Sequence, residues 1–187
     1  GWRELGVRVE GDRVTWAEGP VLPSSVAQTL PEAEERTEME YSPASEALPR
    51  EIADHLAGGV ALLVDYGMAE GELLSSHPRG TLAAVRSHRP VPDPIEHPGL
   101  ADLSAFVNFT RVRRAARAAG LEEVGFRSQR EALVEWGIES LLEAELAKGG
   151  GSEREVRTRL AVKNLLLGFD RFQVLELGVA LDRHAPG

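Results

Sequence analysis

Residues 3–18 alternate apolar and polar side chains with the two-residue period of a half-buried strand. Leu5, Val7 and Val9 share one face, and Val14 and Trp16 can answer them after Gly11-Asp12. This predicts a β-hairpin turning at that dipeptide. Residues 19–44 lose the alternation. Prolines and the acidic series Glu32, Glu34, Glu35, Glu38 and Glu40 mark an exposed connection, with a short strand near Glu38–Tyr41. Over 45–57, Leu48, Ile52 and Leu56 recur at helical spacing. Ser45 is the expected cap, Pro49 is placed in the first turn, and Gly58 is the stop. Val60-Ala61-Leu62-Leu63-Val64 is apolar throughout, the pattern of a central strand in a covered, parallel sheet.

The second half reads mostly as helices. Residues 68–100 are rich in Gly, Pro and His and predict a long loop with an extended piece at Thr81–Val85. Asn108–Ala119 predicts a helix with Val112, Ala115, Ala116 and Ala119 on one face, ended by Gly120. Leu121–Ser128 predicts a strand. Ser128-Gln129-Arg130-Glu131 and Ser152-Glu153-Arg154-Glu155 both fit a capping box. They open helices to Trp136 and to Leu167, with a further helix over Ile138–Ala147 and a glycine hinge at 148–151 between them. Phe172–Leu181 predicts a last strand. The order is that of one side of an α/β sheet. By segment it divides into 1–44 (hairpin and acidic connection), 45–127 (sheet and long loop), 128–167 (helical region) and 168–187 (final strand and tail).

The chain has 187 residues, 42% of them hydrophobic, enough for a substantial core. Its net charge of −9 argues against a nucleic-acid backbone as a general partner. The local exception is Arg111, Arg113, Arg114 and Arg117, for which a solvated helix face is the favoured reading over an anion or acidic-partner site. The absence of cysteine excludes disulfides, thiolate metal sites and cysteine nucleophiles. No apolar run approaches the ~18 residues that span a bilayer, and no membrane partner is expected. The chain opens at Gly1 in what reads as mid-strand, so sequence upstream of it is expected.

Few residues carry legible chemistry. Asp65-Tyr66-Gly67 follows directly on the apolar strand, and ligands of open α/β sheets bind beyond the carboxyl ends of strands. Asp65 can accept from an amine or guanidinium there, and Gly67 allows a close backbone turn. Equally, Asp65 can cap the loop and Tyr66 can pack. Asp102 and Ser104 can cap a turn or face a ligand. His88, between Arg86 and Arg89, is either a site histidine or an exposed one. His77, His88 and His97 lack metal spacing, and the tail His184 suggests no role. No G-x-S-x-G, phosphate loop or G-x-G-x-x-G occurs.

Five blocks in order carry a resemblance: Trp2-Arg3-Glu4 with the hairpin; Leu63-Val64-Asp65-Tyr66-Gly67; Arg79-Gly80-Thr81-Leu82 followed by His88; Pro98-Gly99-Leu100-Ala101-Asp102-Leu103-Ser104-Ala105 with Val107-Asn108-Phe109; and Gln129, Leu133 and Trp136-Gly137-Ile138. Together they resemble the C-terminal part of the MidA family of S-adenosylmethionine (SAM)-dependent methyltransferases. The resemblance implies the C-terminal portion of a Rossmann-like fold with an extra β-hairpin and inserted helices. Residues 60–65 would be the fifth sheet strand, 121–127 the sixth and 172–181 an antiparallel seventh. It places the SAM-binding loop upstream of Gly1, so no cofactor-binding residue and no metal ligand is expected in this chain.

Under the resemblance, Asp65, Tyr66 and His88 become the catalytic candidates, with Gly67, Asp102 and Ser104 as substrate-binding candidates. The implied partners are the N-terminal half of the same protein and a protein substrate such as a respiratory complex I subunit, methylated on arginine. A homodimer is left open. The implied location is the bacterial cytoplasm, or the mitochondrion for eukaryotic relatives. The family has Asp where this chain has Asn108, and a small or acidic residue in place of Phe106. The competing reading is a non-catalytic assembly-factor module using Phe106, Trp136 and the 111–117 face as contacts.

Overall fold

A computed structural model describes residues 1–96, 98–169 and 171–179. His97 and His184, and the end of the strand expected to reach Leu181, lie outside the described residues. The chain forms two compact units, Gly1–Glu40 with Leu74–Phe106 and Tyr41–Leu73 with Val107–Gly187. The acidic stretch and the segment after it in space thus belong together, a grouping that division by element order did not contain.

In the first unit, β1 (Arg3–Glu10) and β2 (Arg13–Val21) form the expected antiparallel hairpin about Gly11-Asp12, pairing Val7 with Trp16 and Val9 with Val14. A short helix α1 (Ser24–Ala27) follows. The strand expected near Glu38–Tyr41 is reduced to one bridge from Glu38 to Arg79, with the two side chains ion-paired at 2.7 Å.

The segment read as a long loop holds more structure than its Gly and Pro content suggested. Helix α3 covers Glu70–Ser76, and strands β4 (Ala83–Arg86), β5 (Arg89–Val91) and β6 (Asp102–Ser104) form an antiparallel sheet of order β5-β4-β6. These strands are too short to show a period. The Glu40 carboxylate holds the preceding turn, accepting from Thr81 N at 2.7 Å, Thr81 Oγ1 at 2.9 Å and Leu82 N at 2.8 Å.

The second unit contains the main sheet. Helix α2 (Pro43–His55) is capped by Ser42, which accepts from Ser45 N, so the cap lies three residues before the expected Ser45. Pro43 takes the N-terminal position that proline favours, and Pro49 is left buried inside the helix rather than in its first turn. Strand β3 (Gly59–Met68) follows, then β7 (Val107–Asn108), α4 (Phe109–Ala118), β8 (Glu122–Ser128), α5 (Gln129–Glu135), α6 (Ile138–Ala147), α7 (Ser152–Leu167) and β9 (Phe172–Val179). The sheet order is β7-β3-β9-β8, with β9 antiparallel to both β3 and β8. The last strand is antiparallel, as expected for the seventh strand, and its place between β3 and β8 is a feature the expectation did not contain.

β3 departs from a fully covered parallel strand. Its long partner is antiparallel, and a parallel partner, β7, meets it only at Gly67 and Met68. Ala61 and Leu63 pack with Leu175, Leu177, Phe109, Val112, Ala116 and Leu121 in the core, while Val60, Leu62 and Val64 on the other face stay exposed. Among the described residues the apolar run is therefore covered on one face. Ser128 and Glu131 form the complete capping box expected for α5. The second expected box is absent. Gly151 is the N-cap of α7 and Ser152 already lies inside the helix, since a glycine at φ 83° makes the turn before the serine can.

Candidate active site

β3 runs past the expected end at Val64, so Asp65-Tyr66-Gly67 lies within its last four residues, before Met68. Asp65 is exposed, and its Oδ1 accepts from the following Tyr66 N–H at 2.8 Å. The Tyr66 ring sets its edge on Phe172 at 5.6 Å, and Phe172 in turn packs against Phe169. Of the alternatives left open by the sequence, Tyr66 packs, whereas Asp65 sits inside β3, paired with Gln173, and caps no loop; its carboxylate faces solvent near the carboxyl end of the strand. Gly67 is buried, donates to Arg171 O at 3.2 Å and lies against the Val107 backbone. A Cβ there would overlap the Val107 carbonyl oxygen, so only glycine lets β7 dock beside β3.

Immediately beyond Gly67 lies a polar cluster that the sequence did not reveal. Arg111 is only 5% exposed, and its Nε donates to Glu46 Oε1 at 2.5 Å, with Glu70 Oε2 3.8 Å from Nη1. Its guanidinium lies 5.0 Å from the centre of the Tyr41 ring. Asn108 caps α4, accepting from Arg111 N at 3.3 Å, and its Nδ2 donates to Glu70 Oε2 at 3.1 Å. Glu70 N donates to Thr110 Oγ1 at 2.9 Å. An Asp in place of Asn108 could still cap α4, but it would set a carboxylate against Glu70.

The arginine cluster is the expected solvated face only at Arg114 and Arg117, while Arg111 and Arg113 are engaged in the fold. Arg113 donates to both oxygens of Glu123, at 2.8 and 2.5 Å, and lies 4.6 Å from the Phe126 ring centre, while Arg117 reaches the same carboxylate at 3.0 Å. The hydrogen bond from Arg113 is the main reason the Glu123 carboxyl is held below the usual glutamate range. Burial opposes it, and the charges of Arg113 and Arg117 reinforce it. Arg114 is exposed. Such pairings join residues far apart in sequence, as with Glu46 and Arg111, and no local pattern announces them.

The remaining expected site residues fall in the first unit. His88 and Ser87 both have positive φ, 61° and 49°, and form the exposed two-residue turn joining β4 to β5. A turn-tip position explains His88 without chemistry. Asp102 and Ser104 pair with Val85 and Ala83 across β4 and β6. The six residues thus form two groups, Asp65, Tyr66 and Gly67 on β3 and His88, Asp102 and Ser104 around β4. Among the described residues, no group of three or more His, Cys, Asp or Glu is placed to hold a metal, and no helix is long and apolar enough to cross a membrane.

A mixed sheet with an antiparallel strand inserted between two others, flanked by helices, is consistent with a methyltransferase fold. Residues 1–127 match the model of a family described as "Putative S-adenosyl-L-methionine-dependent methyltransferase". The chain belongs to this methyltransferase family. It is 32% identical over 154 residues to the mitochondrial protein arginine methyltransferase NDUFAF7 of Xenopus tropicalis, covering 79% of this chain and 34% of that protein. With the mouse protein of the same name it is 30% identical over 176 residues, covering 91% and 36%. A Burkholderia thailandensis crystal structure bound to S-adenosyl-homocysteine superposes with a TM-score of 0.81 at 28% identity, covering 95% of this chain and 47% of that one. The chain spans about a third of the length of these curated relatives and about half of the solved structure.

Among the described residues, no glycine-rich turn of the kind that cradles a nucleoside cofactor leads from a strand into a helix. A nucleoside-bearing ligand asks for a glycine-rich turn after a strand and an acidic residue at a strand end. The glycine run here, Gly149-Gly150-Gly151, leads from α6 into α7 instead.

Proposed function

We propose that this chain is the acceptor-side half of a SAM-dependent methyltransferase acting on a protein side-chain nitrogen, with arginine the favoured acceptor, and that the cofactor-binding half lies upstream of Gly1. The observation that carries this is the strand end itself: an exposed Asp65 carboxylate beside a glycine that the neighbouring backbone requires, in a chain of this family. An exposed carboxylate there suits a guanidinium or amine acceptor, which it would orient by charge-assisted hydrogen bonds. Methyl transfer is an in-line displacement, so the contribution asked of these residues is positioning. Tyr66 walls the site, and the Arg111 network supports it by fixing β7 and the start of α4. His88, Asp102 and Ser104 stand as candidates for contacts to the acceptor protein. Among the relatives, the name protein arginine methyltransferase supports the choice of acceptor.

Isothermal titration of SAM into this chain and into the longer protein that contains it tests the division of labour. The expected result is no measurable heat for the chain alone and saturable binding for the longer protein. Tight binding by the 187-residue chain would refute the upstream placement of the cofactor. Transfer of labelled methyl groups to an arginine-bearing protein by the longer protein tests the acceptor. Label appearing on other nitrogens alone would refute arginine.

A further inference from the structure

The hairpin of the first unit carries an apolar face that nothing in its own two-stranded sheet covers. Leu5, Val7 and Val9 are 48%, 55% and 71% exposed, and Trp16 beside Val7 is exposed as well, with its indole N–H donated to Asp93 at 3.2 Å. The outer edge of β1 has no partner strand among the described residues. A lone two-stranded sheet is marginal in water, and one more strand pair with a common apolar face makes it stable.

The backbone says which groups that edge offers. The two-residue turn makes Glu10 and Arg13 a hydrogen-bonded pair, so pairs alternate along the ladder and the N–H and C=O groups of Leu5, Val7 and Val9 point outward. The irregularity near Glu4 places its extra residue in β2, since Arg3 pairs with Val21 and Leu5 with Glu18. β1 therefore stays regular, with Glu4, Gly6, Arg8 and Glu10 on the face opposite the valines.

We infer that β1 pairs antiparallel with β1 of a second copy of this chain, about a two-fold axis through Gly6. This register sets Leu5 opposite Val7 twice, as hydrogen-bonded pairs of the outward groups. It sets Glu4 opposite Arg8 twice, as the closer non-hydrogen-bonded pairs. Sliding β1 so that the axis passes through Val7 would instead set Glu4 opposite Glu10 twice, and an axis through Arg8 would set two arginines together. An axis through Val9 restores opposite charges but leaves only the last residues before the turn to pair. Gly6 stands at the axis, where the two backbones approach most closely, and glycine inside a strand often marks such an approach. The result is a four-stranded sheet, β2-β1-β1-β2, with Leu5, Val7, Val9 and Trp16 of both copies on one face. Arg8 lies 3.6 Å from Glu10 on its own strand, so in the pair it would sit between two carboxylates.

The test is sedimentation of the 187-residue chain and of charge variants whose far-UV circular dichroism matches the parent. The parent is expected at twice the chain mass. Arg8→Glu and Glu4→Arg should each raise the dimer dissociation constant about tenfold or more, by replacing two attractive cross-strand pairs with two repulsive ones. The double variant Glu4→Arg/Arg8→Glu should restore dimerisation. Because the chain has no cysteine, Gly6→Cys offers a second reading. The facing Cα atoms of a non-hydrogen-bonded pair lie about 4.5 Å apart, within disulfide range. Mild oxidation should therefore cross-link Gly6→Cys and leave Val9→Cys uncross-linked. A monomer at every concentration, a dimer indifferent to the charge swap, or cross-linking through Val9→Cys and not Gly6→Cys would overturn the inference.

Discussion

Gly67→Ala tests the link between β3 and β7 most directly. An alanine methyl would overlap the Val107 carbonyl oxygen and come within 2.9 Å of the Val107 N and C. All three atoms are backbone, so no side chain can swing aside, and β7 must move by about an ångström to admit the methyl. The parallel pairing of Gly67 with Val107 and Met68 with Asn108 would be lost, and Asn108, which caps α4, would move with it. Overpacking of this kind costs about 1–3 kcal/mol. Loosening the cap adds about 1 kcal/mol. The sum, about 2–4 kcal/mol, is a large part of the roughly 5–15 kcal/mol by which domains are stable. At a urea slope of about 2 kcal/mol per molar it moves the midpoint down by about 1–2 M. Urea unfolding followed by far-UV circular dichroism reads this shift. Gly71→Ala is the matched control. Gly71 lies in α3 with open space around it and an ordinary helical backbone, so alanine there should stabilise by about 0.5–1 kcal/mol. A Gly67→Ala protein within about 0.5 kcal/mol of the parent would refute the claim that glycine is required at the strand end.

Glu46→Gln should cost about 3 kcal/mol, because it removes the charge of a carboxylate bonded at 2.5 Å to a buried Arg111. A loss under 1 kcal/mol in urea unfolding would show that Arg111 is not held by that pair. The depressed Glu123 carboxyl predicts a pH signature. Its stabilisation is complete above the ordinary glutamate value of about 4.3 and is lost as pH falls through the lower folded value. The stability gap between parent and Glu123→Gln should therefore be constant near neutrality and close below about pH 4, and a gap that widens on acidification would contradict the assignment. Ser128→Ala removes one half of the α5 capping box and should cost about 1 kcal/mol by thermal or urea unfolding, with no change meaning that the box is not holding α5. In the longer protein, Asp65→Asn should lower kcat/KM for methyl transfer by about 100-fold if the carboxylate positions the acceptor. An unchanged kcat/KM would remove Asp65 from the site.

Local rules carried much of the architecture. The Leu5–Trp16 alternation and its Gly11-Asp12 turn fixed the hairpin. The apolar run at Val60–Val64 marked β3, and Ser128 with Glu131 marked the start of α5. Each signal lies within a few residues, where propensity and capping chemistry act. The same locality explains the misreadings. Ser45 looked like a cap because it precedes Leu48, yet Ser42 followed by Pro43 won. Ser152 fitted a capping box, yet Gly151 had already turned the chain. β4, β5 and β6 were too short to display a period.

The sequence by itself determined the hairpin, β3 and most of the helices and strands after Asn108, that no thiol chemistry exists, and, through the ordered motifs around Asp65-Tyr66-Gly67, which family the chain resembles. Only the tertiary structure decided that β9 inserts antiparallel between β3 and β8, and that Arg111 is a buried strut rather than part of a basic surface. Only it showed that Gly67 is demanded by Val107, and that the first unit joins two segments separated by more than thirty residues of chain. The reason is physical. Hydrophobic period, capping and turn chemistry act between near neighbours. A buried charge pair or a backbone-to-backbone approach is a meeting of residues that only the closed fold brings together.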